Sequence, residues 1–221
     1  MSYPVTIADY LQERALAEAT AADGRARCRV YRVERPLVVL GRGSRVEVEL
    51  DLQTCLDDQV PILRRSGGGC AVVLDPGNLI VAVTLRVPGL LGSLEHFRRL
   101  SAWIIAGLVR LGFSGVRREG PSDLVHGDRK IGGACIHRSR DLLHYGVALL
   151  VDPRVELMER YLRHPPREPE YRGGRLHREF VGALRPASRP DEMEALERDL
   201  QAELRVEELE SHAGLRDRAT S

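Results

Sequence analysis

Lysine is all but missing from this chain: 33 residues are basic, yet Lys130 is the single lysine and the other 32 are arginines. An excess of either charge is missing too. With 33 basic and 32 acidic residues the formal net charge is +1, which excludes the broad basic surface of a nucleic-acid binder. Long apolar runs are absent: NLIVAVTL and WIIAGLV fall well short of the about 20 residues that span a bilayer, so no membrane contact is expected. The first residues, MSYPVTIADYLQERALAEAT, place Asp9, Glu13 and Glu18 where a secretory signal would be basic and then apolar, and a cytoplasmic location is expected. Cysteine is sparse. Cys28, Cys55, Cys70 and Cys135 form no CxxC pair and no zinc-like spacing with histidine, so neither a disulfide framework nor a protein-held metal is expected.

What is present is an ordinary globular chain, 221 residues long with 43% hydrophobic and 29% charged residues and 21 glycines, enough to bury one core. Leu11, Ala15 and Leu16 predict an opening helix from Ala8 to about Ala21, ending near Gly24. CRVYRVE, PLVVLGR and RVEVELD predict strands, followed by a short helix at DLQTCLDD. VPILRR, CAVVLD and NLIVAVTLRV predict three more strands, the last two joined as a hairpin by the turn Asp75-Pro76-Gly77-Asn78. From Ser93, as cap, a helix with Leu94, Phe97, Leu100, Ile104, Leu108 and Leu111 on one face runs to Gly112. Short strands at GVRRE, SDLVHG, RKIGGACIHR and DLLHYGVALLVD follow, then a helix from Asp152-Pro153, a proline- and arginine-rich loop, and helical stretches at 177–184 and 190–204.

Two glycine stretches carry the chemistry. In LRRSGGGCAVVLDPGN two arginines end an apolar strand and three glycines follow; glycine lets a ligand's phosphate or carboxylate approach backbone N–H groups, and arginine can neutralise it. In DLVHGDRKIGGAC the lone Lys130 precedes Gly132 and Gly133, small residues that leave room around an ammonium. An ammonium is a compact point charge, whereas guanidinium is a wide planar fork. Where a carboxylate attacks a phosphate, negative charge gathers on both reactants, and a lysine at their meeting point would stabilise the transition state.

These stretches resemble the catalytic domain of the lipoate–protein ligase family (the biotin/lipoate A/B protein ligases). The resemblance is carried by Arg64-Arg65-Ser66-Gly67-Gly68-Gly69-Cys70-Ala71-Val72, by Gly77-Asn78 in register, by Ser122-Asp123-Leu124, by Lys130-Ile131-Gly132-Gly133-Ala134-Cys135 and by LHYGVALLVD. It implies an α/β (α+β) fold with a mixed, largely antiparallel sheet flanked by helices, as in class II tRNA synthetases and biotin ligases. It implies a catalytic domain over 1–185, with 186–221 a helical extension too short for the family's accessory domain. It implies ATP and Mg2+ as cofactors and lipoate as substrate. The acyl group would pass through lipoyl-adenylate to a lysine of lipoyl domains of 2-oxoacid dehydrogenase or glycine cleavage proteins, with an accessory subunit as a possible partner. By position, Lys130 would be the catalytic charge stabiliser. Arg65, Gly67, Gly68, Gly69 and Gly133 would line the acyl-adenylate, Asp75 and Asn78 would sit near the nucleotide, and Asp123 would hold the adenosine or the metal.

The sequence departs from the pattern at Cys70, which replaces a loop glycine, at Cys135, and at Tyr145, with His144 one step before it. The cysteines keep open an octanoyltransferase that forms a cysteine thioester without ATP, and a non-catalytic acyl-binding subunit is a third reading. Met193, Leu196, Leu200 and Leu204 make one helical stripe, covering the chain's own core or docking a partner. The arginines of RHPPREPEYRGGRLHREF, Arg167 and Arg172 among them, are candidates for steering an acidic acceptor domain.

Overall fold

The computed structural model describes residues 7–87, 92–186 and 189–212. Its elements in chain order are β1 (Ala8–Asp9), α1 (Arg14–Asp23), β2 (Arg27–Tyr31), β3 (Leu37–Leu40), α2 (Val46–Glu49), α3 (Leu52–Asp57), β4 (Ile62–Arg64), β5 (Val72–Leu74), β6 (Asn78–Arg86), α4 (Ser93–Arg110), β7 (Val116–Glu119), β8 (Asp123–His126), β9 (Arg129–Ser139), β10 (Leu142–Leu150), α5 (Val155–Tyr161), α6 (His177–Phe180), α7 (Pro190–Glu203) and α8 (Val206–His212). A short 3-10 turn at Glu170–Arg172 interrupts the proline-rich loop.

The strands form two sheets. The larger has the order β2-β6-β10-β9-β8-β7 and is antiparallel throughout. The smaller, β1-β4-β3-β5, mixes parallel and antiparallel pairs. Because strand side chains alternate between faces, Leu143, Tyr145, Val147 and Leu149 of β10 join Val81 and Val83 of β6 beneath α4 and α7 in the main core. The opposite face, with Ile80, Ala82 and Ala148, meets Val39 and Leu74 of the smaller sheet. The far side of that sheet is closed by Cys55 of α3, Met158 and Tyr161 of α5 and Phe180 of α6. The chain is therefore a stack of helices, large sheet, small sheet and helices, the mixed and largely antiparallel architecture expected.

Several local expectations change. RVEVELD is not a strand: 46–49 turn as α2, which lets the buried Glu49 carboxylate accept from Ser44 Oγ at 3.0 Å and from the Ala71 N–H at 2.5 Å. Alternation over so few residues fits one helical turn as well as a strand. CAVVLD and NLIVAVTLRV are not a hairpin, because β5 pairs with β3 and β6 pairs with β2 and β10. The Asp75-to-Asn78 turn carries the chain from one sheet to the other. The opening helix starts only at Arg14, after Ala8–Asp9 has paired with β4, and ends as expected on left-handed Gly24, φ +78°. Gly92, not Ser93, flanks α4 at its start, and Leu94 is 69% exposed, whereas Leu100, Ile104 and Leu108 are buried. The expected 177–184 helix shortens to α6.

The stripe on α7 covers the chain's own core: Met193, Leu196, Leu200 and Leu204 are all buried in the main cluster. Gly107 of α4 makes room for it, since a Cβ there would lie 2.8 Å from Leu204 Cδ2. Residues 213–221 of the expected extension lie outside the described residues. Replacing Leu200 with Ala, at a fully buried position, is expected to cost about 3 kcal/mol through lost transfer energy and a cavity. A urea midpoint unchanged from the parent would show that α7 is not part of the folding unit.

Candidate functional site

The site forms where the loop 65–71, after β4, reaches across to the large sheet. Gly67 is buried with no side chain, and a Cβ on it would fall 2.8 Å from Cys135 Sγ. The loop sits directly on β9 for that reason. Gly69 takes φ +95°, and a Cβ on Gly41 would meet its carbonyl oxygen at 1.9 Å, so loop and β3–α2 turn interlock backbone to backbone. Gly68 is exposed, with nothing near a Cβ built on it.

Arg65 holds this loop. Its guanidinium donates to the carbonyls of Val39 at 3.2 Å, Gly68 at 2.7 Å and Cys70 at 2.9 Å. Arg64 similarly donates to the carbonyls of Gly41 at 2.8 Å and Ser44 at 3.0 Å. Five donors in a fixed fork suit the gathering of several carbonyls. Both arginines anchor backbone here, a role that strand-end arginines before glycines did not announce.

Lys130 and Asp123 lie on adjacent strands and meet at 2.8 Å, Nζ to Oδ1. Asp123 pairs with Gly133, and the register then shifts between Leu124 and Val125, so that Val125 pairs with Lys130. This bulge, which re-aims side chains beside sites, turns Lys130 back over Gly133. A Cβ there would lie 3.2 Å from the ammonium. Two motif residues are thus joined directly, and Asp123 faces the lysine. Its other oxygen, Oδ2, accepts from the Tyr171 hydroxyl at 2.8 Å, and burial pushes the Tyr171 phenol upward, with the Asp123 charge adding to it. Among the described residues there is no group of three or more His, Cys, Asp or Glu side chains arranged to hold a metal ion.

Asp75 and Asn78 are fully buried within their turn. The Asp75 carboxylate accepts from the N–H groups of Gly77 at 2.7 Å and Arg154 at 3.1 Å, and burial raises its pKa above the ordinary carboxylate value. Asn78 Oδ1 accepts from the Asp75 N–H at 3.0 Å, while its Nδ2 is buried without a partner. A buried amide nitrogen with no acceptor is a donor left over. It stands opposite Leu150 on the face that carries Ala148 and Gly133.

The floor between these groups is polar at one end. Cys135 pairs with Gly146 and His137 with His144 across β9 and β10. His144 faces this floor, bonding Glu13 through Nε2 and Thr84 through Nδ1, the latter at 3.1 Å. Tyr31 donates to Glu13 at 2.9 Å, and the Tyr10 hydroxyl donates to the Tyr31 oxygen at 2.8 Å. Tyr145, one residue on, points into the core, where its hydroxyl meets Ser101. The shift of histidine by one position therefore moves it to the other face of the strand. Burial raises the Cys135 thiol above its ordinary value, a poor setting for a thiolate.

The loop 163–176 closes the site's other side. Cys70 Sγ lies 3.7 Å from the Arg167 carbonyl, and Tyr171 reaches Asp123. Arg172 is not on the surface: it is 4% exposed, with its guanidinium 4.9 Å over the Phe180 ring and Nε bonded to the Arg175 carbonyl. It cannot steer an acceptor domain, because a buried fork stacked on an aromatic is part of the loop's packing. Tyr171, Glu49 and Glu13 were not legible as site residues, since each reaches the site through an element whose position only the fold defines.

A family model described as the lipoyl protein ligase A/B catalytic domain matches residues 7–205. The chain is similar to a lipoate–protein ligase of Streptococcus pyogenes, 31% identical over 150 residues, 68% of this chain and 43% of that protein. It is also similar to the octanoyltransferase LipM of Carboxydothermus hydrogenoformans, 30% identical over 181 residues, 73% of this chain and 66% of that one. The backbone is similar to a solved bipartite lipoate protein ligase, studied with its E2 lipoyl domain, from Thermoplasma acidophilum. The TM-score is 0.70 at 22% identity, covering 90% of this chain and 80% of that one. The chain spans about half the length of the curated ligases it matches, 43% of one and 53% of another.

The interlocked loop makes a sharp contrast testable. A methyl group at Gly41 collides with the Gly69 carbonyl, whereas one at Gly68 meets nothing. Gly41→Ala is expected to cost about 2 kcal/mol or more and Gly68→Ala less than about 0.5. Thermal melts that rank the two equally would refute the interlock.

Proposed function

This chain belongs to the lipoyl protein ligase A/B catalytic-domain family, and from that premise we propose that it activates lipoate or octanoate with ATP as an acyl-adenylate. It then transfers the acyl group to a lysine of a lipoyl domain. The observation that carries this reading is the ammonium of the chain's one lysine, lodged over Gly133 and held by Asp123 at 2.8 Å. In the first step a carboxylate oxygen of the acid attacks the α-phosphorus. The bond to the bridging oxygen breaks and pyrophosphate leaves with its electron pair. Lys130 sits against both gathering charges, a place for a point cation. In the second step the neutral amine of the acceptor lysine attacks the acyl carbonyl, AMP departs with the electrons of the C–O bond, and the amine's proton passes to water.

ATP enters as a substrate. Gly67 to Gly69 supply a side-chain-free approach to backbone N–H groups, and the spare donor Asn78 Nδ2 is a group a nucleotide's oxygen would satisfy. Arg65 serves the acyl-adenylate indirectly, by shaping the loop. Mg2+ would come with the nucleotide's phosphates and offset their charge, since the described residues offer no cage of protein ligands for it. The acceptors in this reading are lipoyl domains of 2-oxoacid dehydrogenase or glycine cleavage proteins. The reading extends to an accessory subunit on the strength of one structural neighbour that is described as a bipartite ligase.

Similarity to LipM favours one alternative, in which a cysteine thiolate takes octanoate from a carrier-protein thioester and expels the carrier thiol. Cys135 lies on the site floor but is pushed toward the neutral thiol by burial, and thiolate is the nucleophile. That argues against Cys135 as the nucleophile of such a transfer.

The deciding experiment records the intact mass of an apo lipoyl domain after incubation with the protein. One sample receives lipoate and MgATP, the other octanoyl carrier protein without ATP. A lipoyl gain in the first alone is expected. A gain in the second alone would replace the ligase with the transferase, and no gain in either would point to a missing partner or to a different acyl group. Lys130→Arg is expected to fold normally and to lose about a hundredfold or more in kcat, because the fork cannot occupy the ammonium's place. Near-parent turnover by that variant would end Lys130's assignment, whereas Cys135→Ala should leave the ligase reaction intact.

A further inference from the structure

Asp123 is 7% exposed, and its two carboxylate oxygens are divided between two partners. Oδ1 faces Lys130 Nζ at 2.8 Å and Oδ2 accepts from the Tyr171 hydroxyl at 2.8 Å. A buried carboxylate with a partner on each oxygen has its plane fixed, and with it the position of whatever it holds. Tyr171 comes from the 163–176 loop, far along the chain from β8 and β9. Its ring is fixed independently, packed 5.1 Å from Phe180 of α6. Phe180 is in turn covered by Arg172 and Arg175 at 4.9 and 5.3 Å. Lys130 is also tied to this region by its backbone: its carbonyl accepts from the Gly182 N–H at 2.8 Å.

We propose that Tyr171 is a positioning residue for Lys130, acting through Asp123: its hydroxyl orients the carboxylate so that the ammonium stays over Gly133, facing the reacting carboxylate and α-phosphate. This rests on the ligase reading for its catalytic consequence, but the coupling between Tyr171 and Lys130 is a property of the fold alone. The hydroxyl does not touch substrate. Seating of the loop thereby becomes a condition for the placement of the cation, and loop and lysine act as one unit.

Because Lys130 is the only lysine in the chain, an amine-selective acylating reagent reads its environment directly. The α-amine is the sole competing amine and is separated by peptide mapping. The Tyr171→Phe variant keeps the ring against Phe180 and removes only the hydroxyl. Released on one side, Asp123 should turn and loosen its hold, so acetic anhydride should label Lys130 about threefold faster. The kcat for lipoate-dependent pyrophosphate release should fall about tenfold, with KM for lipoate within about twofold, the pattern of a lost transition-state interaction. In an Asp123→Asn background the same substitution should add nothing to either measurement, as expected of residues acting in series.

Parent-like labelling in Tyr171→Phe would overturn the proposal. So would a full Tyr171→Phe effect persisting in Asp123→Asn, which would mean that the hydroxyl serves the loop and not the lysine. Failure of the ligase reading looks different: no pyrophosphate is released by the parent protein, while the labelling cycle still couples Tyr171 to Lys130.

Discussion

The two sheets come close enough to build a site because Gly67 has no side chain. Its bare Cα rests on the thiol of Cys135, and no other residue type would let the loop reach the large sheet without displacing one of them. The rest follows from that approach. Gly69 can present its carbonyl to the Gly41 turn, Arg65 can collect three carbonyls around the loop, and Glu49 can receive the Ala71 N–H that the loop leaves facing inward. A loop tied at so many backbone groups is held in one shape.

The single lysine acquires its setting from the sheet. A chain that places arginine at every other basic position has no general need of lysine, and the structure supplies a local one. The bulge between β8 and β9 folds the side chain over Gly133 and against Asp123, in a space bounded by backbone. A guanidinium fork would need the room that Gly133 and the neighbouring strand occupy. The same face of the large sheet carries small residues at Ala82, Gly133, Gly146 and Ala148, the two alanines packing against the smaller sheet. Glu13, His144 and the two tyrosines make that surface polar at one end.

Much of this was legible as local pattern. The apolar runs of β6 and β10, the helical face of α4, the apolar stripe of α7 and the left-handed glycine after α1 are written in the spacing of apolar residues and in backbone freedom, both short-range properties. The motifs with Arg65, Gly67 to Gly69, Asp123, Lys130 and Gly133 stood out through the family resemblance, but the structural use of Arg65, which gathers the loop's carbonyls, did not. What failed was of one kind. Val-Glu-Val-Glu at 46–49 suits a strand or a helical turn, and the turn prevails because Glu49 is needed at the loop. The turn at 75–78 looked like a hairpin and instead changes sheets, since strand pairing is decided by partners distant in the chain.

Residue types and spacing therefore determined most strands and helices, their buried faces and the residues able to carry charge, while the α/β class came with the family resemblance of the glycine motifs. Tertiary structure decided what those residues do. Arg65 binds carbonyls, Asp123 binds Lys130, Arg172 is stacked inside a loop expected to lie open, and Tyr171 arrives from that loop to complete the pair. The physical reason is range: hydrophobic period and glycine freedom act within a few residues, whereas a hydrogen bond between a tyrosine and an aspartate 48 positions apart exists only after the sheets, the bulge and the loop have been assembled.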